Sequence, residues 1–379
     1  VQKRMHNKLF IADNAMGITG GRNLGDAYFG VHDESNFVDL EVLAVGPVVR
    51  DMSASFDRYW NDELAYPMQT LVSAKELENL RKPPVDAQAD PSGQAASPTA
   101  KPQLTASTSI IPDTTPTAVA TAEKTPMDLR RVPLTWAPAM LMVDEPGKIG
   151  PDDDEADAGE TVVDGLLNLM QQARQDVLIV SPYFVPGEAM MQNLGQLRAK
   201  GIRVRVLTNS LASNDAPAAH AGYARYRKGL LGMGVELYEM RADQEGRAAG
   251  MGSSGGLGSG HVAGGSKSGN SRASLHSKAV IIDNRLAVIG SMNLDLRSQK
   301  KNSEVALLIR SAALSQLATR QVEATFKQGA YRLELDGGGL VWRAPAGAEF
   351  KETRSEPEAS TKLKLLVQLI GPFAPEEML

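Results

Sequence analysis

Two short segments of this chain carry the same set of residues that can act on a phosphate ester. Each segment reads His-x-Lys-x4-Asp and is followed by a glycine and then an asparagine at matching spacings. The first copy holds His6, Lys8, Asp13, Gly20 and Asn23, and the second holds His276, Lys278, Asp283, Gly290 and Asn293. Agreement at every one of these positions and in every gap between them indicates an internal duplication.

The residue types predict phosphoryl chemistry without a metal ion. On a strand, a histidine and a lysine two positions apart point to the same face. One imidazole can attack phosphorus while the other protonates the leaving oxygen. The two lysines and the backbone amides of the glycine-bearing turns supply a positive field for an oxyanion. We therefore expect no metal and no cofactor, and one copy alone would supply half of the site.

The elements around the motifs alternate between strand and helix. Each motif runs into an apolar stretch that suits a strand, Leu9–Ala12 in the first copy and Ala279–Ile282 in the second. Predicted helices cover residues 52–59, 161–174, 188–200, 216–231 and 312–326, and predicted strands cover residues 39–49, 140–143, 176–181, 203–208, 235–238 and 304–309. This succession favours a mixed sheet with helices on both faces.

The paired motif, followed by Gly-Gly-x-Asn or Gly-Ser-x-Asn, resembles the phospholipase D superfamily. Three stretches (FVDLEVLAVGPVVRDMSASFDRYWN, VSPYFVPG and NSLASNDAPAAHAGYARYRKGLL) are similar to bacterial cardiolipin synthases, most of all those of the C type. The resemblance covers most of residues 1–350 apart from two low-complexity segments. It implies an α/β fold of two phospholipase D-like lobes, each a mixed β-sheet flanked by helices, related by a pseudo-two-fold axis.

Composition divides the chain into four parts. Residues 1–80 are expected to form the C-terminal part of the first lobe, and residues 81–126, rich in Pro, Ala, Thr and Ser, a disordered linker. Residues 127–350 are expected to form the second lobe, with a flexible Gly/Ser-rich insertion at 242–274. Residues 351–379 form an amphipathic tail that either lies on an anionic membrane surface or packs on its own domain.

The first lobe is expected to be incomplete. Residues 161–275 supply strands and helices before the second motif, whereas only residues 1–5 precede His6, and the chain opens with Val1. If the halves are duplicates, we expect an N-terminal truncation that has removed most of the first-lobe sheet, with any signal or membrane anchor. The alternative is that the short first lobe is native.

The resemblance also implies supporting residues. An acid on the strand after the second motif, Glu304, is expected to bond a catalytic imidazole, with Asp39 as its first-copy counterpart. A surface salt bridge is the alternative for both acids. His220 either helps to form a head-group pocket or has a capping or packing role. Ser291 is a hydroxyl donor that the first copy lacks, because Gly21 stands in its place.

The remaining motif residues have two candidate roles. Asp13 and Asp283 either take part in catalysis or orient the loops at the ends of the motif strands. Gly20 and Gly290 are expected to shape the loops, in which Asn23 and Asn293 donate to phosphate. The sequence leaves these alternatives open.

The resemblance implies a phosphatidyltransferase that makes cardiolipin from phosphatidylglycerol and a second phospholipid, expected to be phosphatidylethanolamine, through a phosphohistidine. By analogy His6 attacks phosphorus and His276 protonates the leaving alcohol, although the near-symmetry of the repeat also permits the reverse. One alternative is a phosphodiesterase or nuclease of the same superfamily. Another is an inactive fragment whose site is not assembled.

Composition limits the partners of this 379-residue chain. A net charge of −5 argues against a broad nucleic-acid surface. The absence of cysteine excludes disulfides and thiol catalysis, and no apolar run reaches about 18 residues. We expect phospholipid substrates, a membrane surface, no nucleic acid and a peripheral location at the bacterial inner membrane; any helper protein is left open.

Overall fold

The computed structural model describes residues 3–29, 35–81, 132, 134–150, 160–242 and 272–371. Nearly all of the predicted linker 81–126 and of the insertion 242–274, and the end of the tail, lie outside these ranges. Among the described residues, those of Val1–Asp62 and Lys124–Leu379 form one compact unit and those of Glu63–Glu123 a second. The first stretch of the larger unit ends at Asp62. The predicted domain limits stay predictions.

The first motif copy folds into a small sheet with one covering helix. Its elements are β1 (Arg4–Met5), β2 (Leu9–Ala12), β3 (Met16–Gly20), β4 (Ser35–Val38), β5 (Glu41–Val45) and α1 (Val48–Trp60). The helices α2 (Met68–Leu71) and α3 (Ala74–Arg81) belong to the second unit. The predicted strand 39–49 was too long, because Gly46, with a φ of 98°, turns the chain and Pro47 then caps α1.

The second copy contributes a much larger set of elements. These are β6 (Ala139–Val143), α4 (Val162–Met170), β7 (Asp176–Val180), α5 (Gly187–Ala199), β8 (Arg203–Asn209), α6 (Pro217–Ala224), α7 (Arg227–Gly232), β9 (Glu236–Met240), β10 (Arg272–Leu275), β11 (Ala279–Ile282), β12 (Leu286–Gly290), α8 (Leu296–Lys300), β13 (Asn302–Ser303), β14 (Val305–Arg310), α9 (Ala312–Gln328), β15 (Ala330–Asp336), β16 (Gly339–Arg343) and α10 (Thr361–Ile370). The hairpin β15–β16 was not predicted, and the predicted helix 216–231 is divided into α6 and α7.

Among the described residues, nine strands form one mixed sheet in the order β16-β15-β9-β8-β7-β11-β12-β14-β6. The central strands β7, β8 and β9 are parallel and the other pairs are antiparallel. All five residues of β7 are buried, as expected of a strand covered on both faces.

Alternation along β7 divides the core into two layers. Val177 and Ile179 face a layer that includes residues of α4, α5 and α7. Leu178 and Val180 face the opposite layer, which includes residues of α9. The predicted α/β class with a mixed sheet flanked by helices is therefore confirmed.

The small sheet repeats part of the large one. β2, β3 and β5 pair in the order β2-β3-β5, which matches the order β11-β12-β14 of the second copy. β11 pairs with β7 on its other side, whereas β2 pairs only with β3 within the described ranges. One core cluster joins the two sheets, and it contains Ala44 of β5, Val49 and Met52 of α1, and Leu307 and Ile309 of β14.

The motif glycines allow neighbouring strands to approach closely. A Cβ atom on Gly290 would lie 2.2 Å from the carbonyl oxygen of Val305 and 2.5 Å from the Cα atom of Ala306. A Cβ atom on Gly20 would lie 2.7 Å from the carbonyl oxygen of Leu40. Since backbone atoms cannot move aside cheaply, both positions exclude a side chain.

We predict that Gly290→Ala lowers the free energy of unfolding by about 1–3 kcal/mol, because the added methyl group separates β12 from β14. Gly232→Ala is the matched control, since a Cβ atom there has no neighbour within 4 Å. Urea unfolding followed by circular dichroism measures both. Equal midpoints for the two variants would show that the strands tolerate the methyl group.

Candidate active site

Parallel ladders tie each motif copy to the other. β1 pairs with β13, and the His6 backbone N–H then donates to the Ser303 carbonyl over 3.0 Å. β10 pairs with β4, and the His276 backbone N–H donates to the Val38 carbonyl over 2.8 Å. The backbone of one copy therefore positions the histidine of the other.

The supporting carboxylates cross between the copies in the same way. Glu304 lies 2.9 Å from Nδ1 of His6, and Asp39 lies 2.9 Å from Nδ1 of His276. Each acid directly follows the residue whose carbonyl binds that histidine, so one register sets both contacts. The sequence pointed to these two acids but not to the crossing.

The carboxylates select the ring nitrogen that meets the substrate. With Nδ1–H donated to the acid, Nε2 of a neutral imidazole carries the free lone pair. Within the described ranges no hydrogen-bond partner is found for Nε2 of His6 or His276. Both rings can therefore use Nε2 in proton transfer or attack.

The motif lysines lie beside the imidazoles and are partly desolvated. Nζ of Lys8 donates to the His6 carbonyl over 3.0 Å, and Nζ of Lys278 donates to the His276 carbonyl over 2.7 Å. Burial, together with the charge of the opposite lysine, lowers the pKa of Lys8 to about 8. Burial also lowers the pKa of Lys278 to about 8, against the pull of Asp39 and Glu304. Two crowded ammonium groups gain most from a bound anion.

The two imidazoles have different electrostatic surroundings. Burial lowers the pKa of His6, but the charge and hydrogen bond of Glu304 oppose this effect. Burial, followed by the charges of Lys278 and Lys8, lowers the pKa of His276 to about 2. Burial therefore favours the neutral form of both rings, and the lysine charges add to this effect most strongly at His276, where they rank directly after burial.

The two acids differ because their hydrogen-bond partners differ. Burial opposes ionisation of Glu304, but the charge of His6 and hydrogen bonds from His6, Ser291 and Ser298 outweigh it and lower its pKa. Burial raises the pKa of Asp39 to about 6, against the charge of Lys278 and the Leu40 N–H. Glu304 is thus the more firmly ionised of the two.

The difference between Gly21 and Ser291 explains much of this asymmetry. Ser291 is buried, and its hydroxyl donates to Glu304 and accepts from the Val305 N–H. A Cβ atom on Gly21 would lie 2.5 Å from Oδ1 of Asp39, so no hydroxyl donor fits there. The hydroxyl of Ser291 therefore supports the acid that is bonded to His6.

The motif aspartates do not reach the imidazoles. Asp283 accepts backbone N–H groups of Arg174, Gln175 and Asp176 at 3.0, 2.8 and 3.0 Å. Asp13 is exposed in the turn between β2 and β3, with a φ of 53°. Asp283 therefore fixes the start of β7, which agrees with the loop-orienting alternative, and a catalytic role for either aspartate stays a prediction.

The motif asparagines differ in exposure. Asn23 is exposed and donates to the hydroxyl of Tyr28 over 2.7 Å. Asn293 is buried, its N–H donates to Ser298, and its Oδ1 has no hydrogen-bond partner. Donation to phosphate by these residues stays a prediction.

His220 lies in the protein interior beside a buried arginine. It is fully buried, and its Nε2 lies 2.9 Å from the guanidinium of Arg227. Arg227 also pairs with Glu239 and Glu356, which makes a buried ion network under α6 and α7. The packing role considered for His220 is the one that the structure supports.

Several residues that contact the site were missed by sequence reasoning. Tyr28 and Phe37 place their rings 5.0 and 5.1 Å from the His276 ring. Ser298 donates to Glu304 over 2.7 Å, and Asp144, paired with Lys148, accepts the Glu304 N–H over 2.9 Å. None of them belongs to the repeated motif, and contact arises only from tertiary folding.

Within the described ranges, no group of three or more His, Cys, Asp or Glu side chains is arranged to hold a metal ion. The positive groups at the reacting centre are lysines. Crossed histidine–carboxylate pairs with paired lysines define a phosphotransfer site of the phospholipase D kind.

Comparisons with known proteins agree with this class. A family model described as cardiolipin synthase, PLD-like domain, matches residues 166–328. Cardiolipin synthase C of Escherichia coli (strain K12) is 33% identical over 370 residues, which cover 97% of this chain and 72% of that protein. An uncharacterized protein of Helicobacter pylori (strain 26695) is 29% identical over 380 residues, 97% of this chain and 66% of its own length.

A solved structure shows the same fold. The phosphatidylserine synthase of Haemophilus influenzae Rd KW20 superimposes with a TM-score of 0.51 at 13% identity, over 99% of this chain and 70% of that one. The chain belongs to the phospholipase D superfamily and, within it, to the cardiolipin synthase family. By class it is a phospholipase D-type transferase.

We predict that kcat/KM for a short-chain phospholipid falls above about pH 8 through a rise in KM. The lysines are charged below a pKa of about 8 and lose the phosphate-binding charge as the pH rises through it. Lys8→Arg should make this decline shallower without moving its onset upward, because arginine stays charged and only Lys278, with a pKa of about 8, still loses its proton.

Lys327→Arg, an exposed substitution in α9, is the matched control and should keep the wild-type profile. Initial rates from pH 6 to 10 measure the effect. A wild-type decline that begins only near pH 10 would contradict the lowered lysine pKa values.

Proposed function

We propose that this protein transfers a phosphatidyl group to phosphatidylglycerol, forming cardiolipin through a phosphohistidine intermediate. The observation that carries the proposal is the crossed arrangement, in which each copy supplies the backbone and the acid that orient the other copy's imidazole. Such a site has an attacking nitrogen, a proton donor and two cations for one phosphodiester.

His6 is the nucleophile in this proposal. Its Nε2 forms a bond to phosphorus while the bond from phosphorus to the head-group oxygen breaks. Phosphorylation at Nε2 makes the ring cationic, and ionised Glu304, bonded to Nδ1, compensates that charge. The hydroxyls of Ser291 and Ser298 donate hydrogen bonds to Glu304, whereas among the described residues no hydroxyl donates to Asp39.

His276 is the proton donor to the leaving oxygen. The charges of Lys278 and Lys8 contribute to its low pKa. A bound phosphodiester neutralises part of that field, so its arrival raises the pKa of His276 and promotes protonation from solvent. After the first transfer neutral His276 accepts the hydroxyl proton of phosphatidylglycerol, whose oxygen bonds to phosphorus as the bond to His6 breaks.

An apolar cavity supports a lipid substrate over a nucleic acid. It measures about 770 Å³ and lies between the small sheet and the β12–β14 face of the large one. Ile18, Ile289 and Leu307 are among its lining residues, and Asp39 lies at its polar part. An acyl chain fits such a lining, whereas a polynucleotide requires clustered basic side chains.

The tail helix supports contact with a lipid surface. α10 packs against α6, with Leu363, Val367 and Ile370 half-buried on one side. Leu365, Leu366 and Leu369 remain 55%, 44% and 62% exposed. No helix among the described residues is long and apolar enough to cross a bilayer. We propose that α10 rests on the membrane through these three leucines, with the protein bound peripherally.

We predict that label from phosphatidyl-p-nitrophenol is trapped on the peptide that contains His6. In His276→Asn, p-nitrophenol still departs because it needs no proton donor, and the intermediate accumulates because the base for the second step is missing. His6→Asn should give neither burst nor label.

Rapid quench with peptide mapping locates the label, and lipid analysis with phosphatidylglycerol as acceptor measures cardiolipin. Label on the His276 peptide would reverse the two roles. A wild-type protein that releases only phosphatidic acid would indicate a phosphodiesterase, and one without label or product would indicate an unassembled site.

We predict that replacing Leu365, Leu366 and Leu369 by serine weakens binding to phosphatidylglycerol-containing vesicles by at least about tenfold, since each leucine contributes on the order of 1 kcal/mol. Leu335→Ser, at a 43% exposed leucine of β15, is the control and should bind normally. Vesicle co-sedimentation measures binding, and equal partition of both variants would disprove the docking role of α10.

A further inference from the structure

An unpaired carboxylate lies beside the catalytic centre. Asp215 follows β8 and precedes α6, and it is exposed to solvent. Its Oδ1 accepts the hydroxyl of Tyr183 over 2.7 Å. The motif repeat gives no hint of it, because the first copy has no matching described segment.

The charge of Asp215 is not used within the fold. The backbone N–H of Ala216, at the start of α6, donates to Oδ1 of Asn214 over 2.8 Å. Asp215 therefore does not cap the helix. In the part of the chain that the structure describes, no Lys, Arg or His forms an ion pair with Asp215. A free carboxylate held by a tyrosine is therefore available to a ligand.

Tyr183 is anchored to the second motif loop. Ser181 donates to the Tyr183 carbonyl over 2.7 Å and accepts the Leu294 N–H over 3.1 Å. The backbone N–H of Val185 donates over 3.0 Å to the carbonyl of Leu294, which is the residue that follows motif residue Asn293. The loop that presents Tyr183 and Asp215 is thus fixed against the loop of the site.

Asp215 acts on the His276 side of the centre. Its charge partly opposes the lowering of the pKa of His276 and of Lys278, and it adds to the effect of burial that raises the pKa of Tyr28. Tyr28 meets the His276 ring edge-on at 5.0 Å. The loop of Tyr183, which holds Asp215, is bonded on both sides to Leu294, the residue after Asn293, so this carboxylate belongs to the same part of the molecule as the second motif loop.

A carboxylate beside an anion-binding centre is unfavourable for the phosphate itself. It becomes favourable when the same substrate carries a cation next to its phosphate, and aromatic rings add to the recognition of ammonium groups. Resting on the proposed function, we infer that Asp215, held by Tyr183, binds the ammonium of an amine-bearing head group and selects such phospholipids as phosphatidyl donors.

Asp215→Asn tests this inference by two measurements. The ratio of kcat/KM for phosphatidylethanolamine to that for phosphatidylglycerol as donor should fall about fivefold, mainly through KM. Titration calorimetry with soluble glycerophosphoethanolamine and glycerophosphoglycerol should show the same loss of preference without any turnover.

Asp336→Asn, the same chemical change in the β15–β16 hairpin, is the matched control and should keep the wild-type ratio. Tyr183→Phe retains the ring and the carboxylate and should lower the ratio less than Asp215→Asn does. If the wild-type protein transfers no phosphatidyl group but still prefers glycerophosphoethanolamine in a way that depends on Asp215, the proposed function is refuted and the amine site is supported. A donor ratio and binding preference that Asp215→Asn leaves unchanged, or an equal loss for both lipids, would overturn the inference.

Discussion

The exchange of backbone hydrogen bonds between the two copies is the constraint on which the site depends. The backbone N–H of each motif histidine donates to a carbonyl of the other copy. The residue that follows this carbonyl is the acid whose carboxylate is bonded to the histidine ring. A shift of one residue in either ladder would point that acid to the opposite face. The site therefore exists only while both halves remain paired.

Burial gives this arrangement its electrostatic character. Two lysines with pKa values of about 8 are held where water solvates them poorly, and two acids balance them only in part. The field is favourable for a phosphodiester anion, and it disfavours protonation of both imidazoles. In the mechanism that we propose, substrate binding and the protonation of His276 are therefore linked.

Small departures from exact symmetry give the two motif histidines different surroundings. Ser291 supports Glu304, whereas Gly21 leaves space only for Asp39 itself, so the acid behind His6 is the more firmly ionised. Tyr183 and Asp215 then add a polar feature on the His276 side alone. An enzyme with distinct donor and acceptor steps needs such inequality between two copies of one motif.

The sequence by itself determined the duplication, the family and the α/β class, since motif spacing and apolar periodicity are local properties. It also pointed to His6, His276, the lysines and both acids. Only the tertiary structure decided that the acids cross between copies, that Asp283 accepts backbone N–H groups at the start of β7, and that His220 is buried beside Arg227. It also decided that Tyr28 and Ser298 contact the residues of the site. The physical reason is that such contacts join residues far apart in the chain, where strand register and burial, and not spacing, determine which side chains meet.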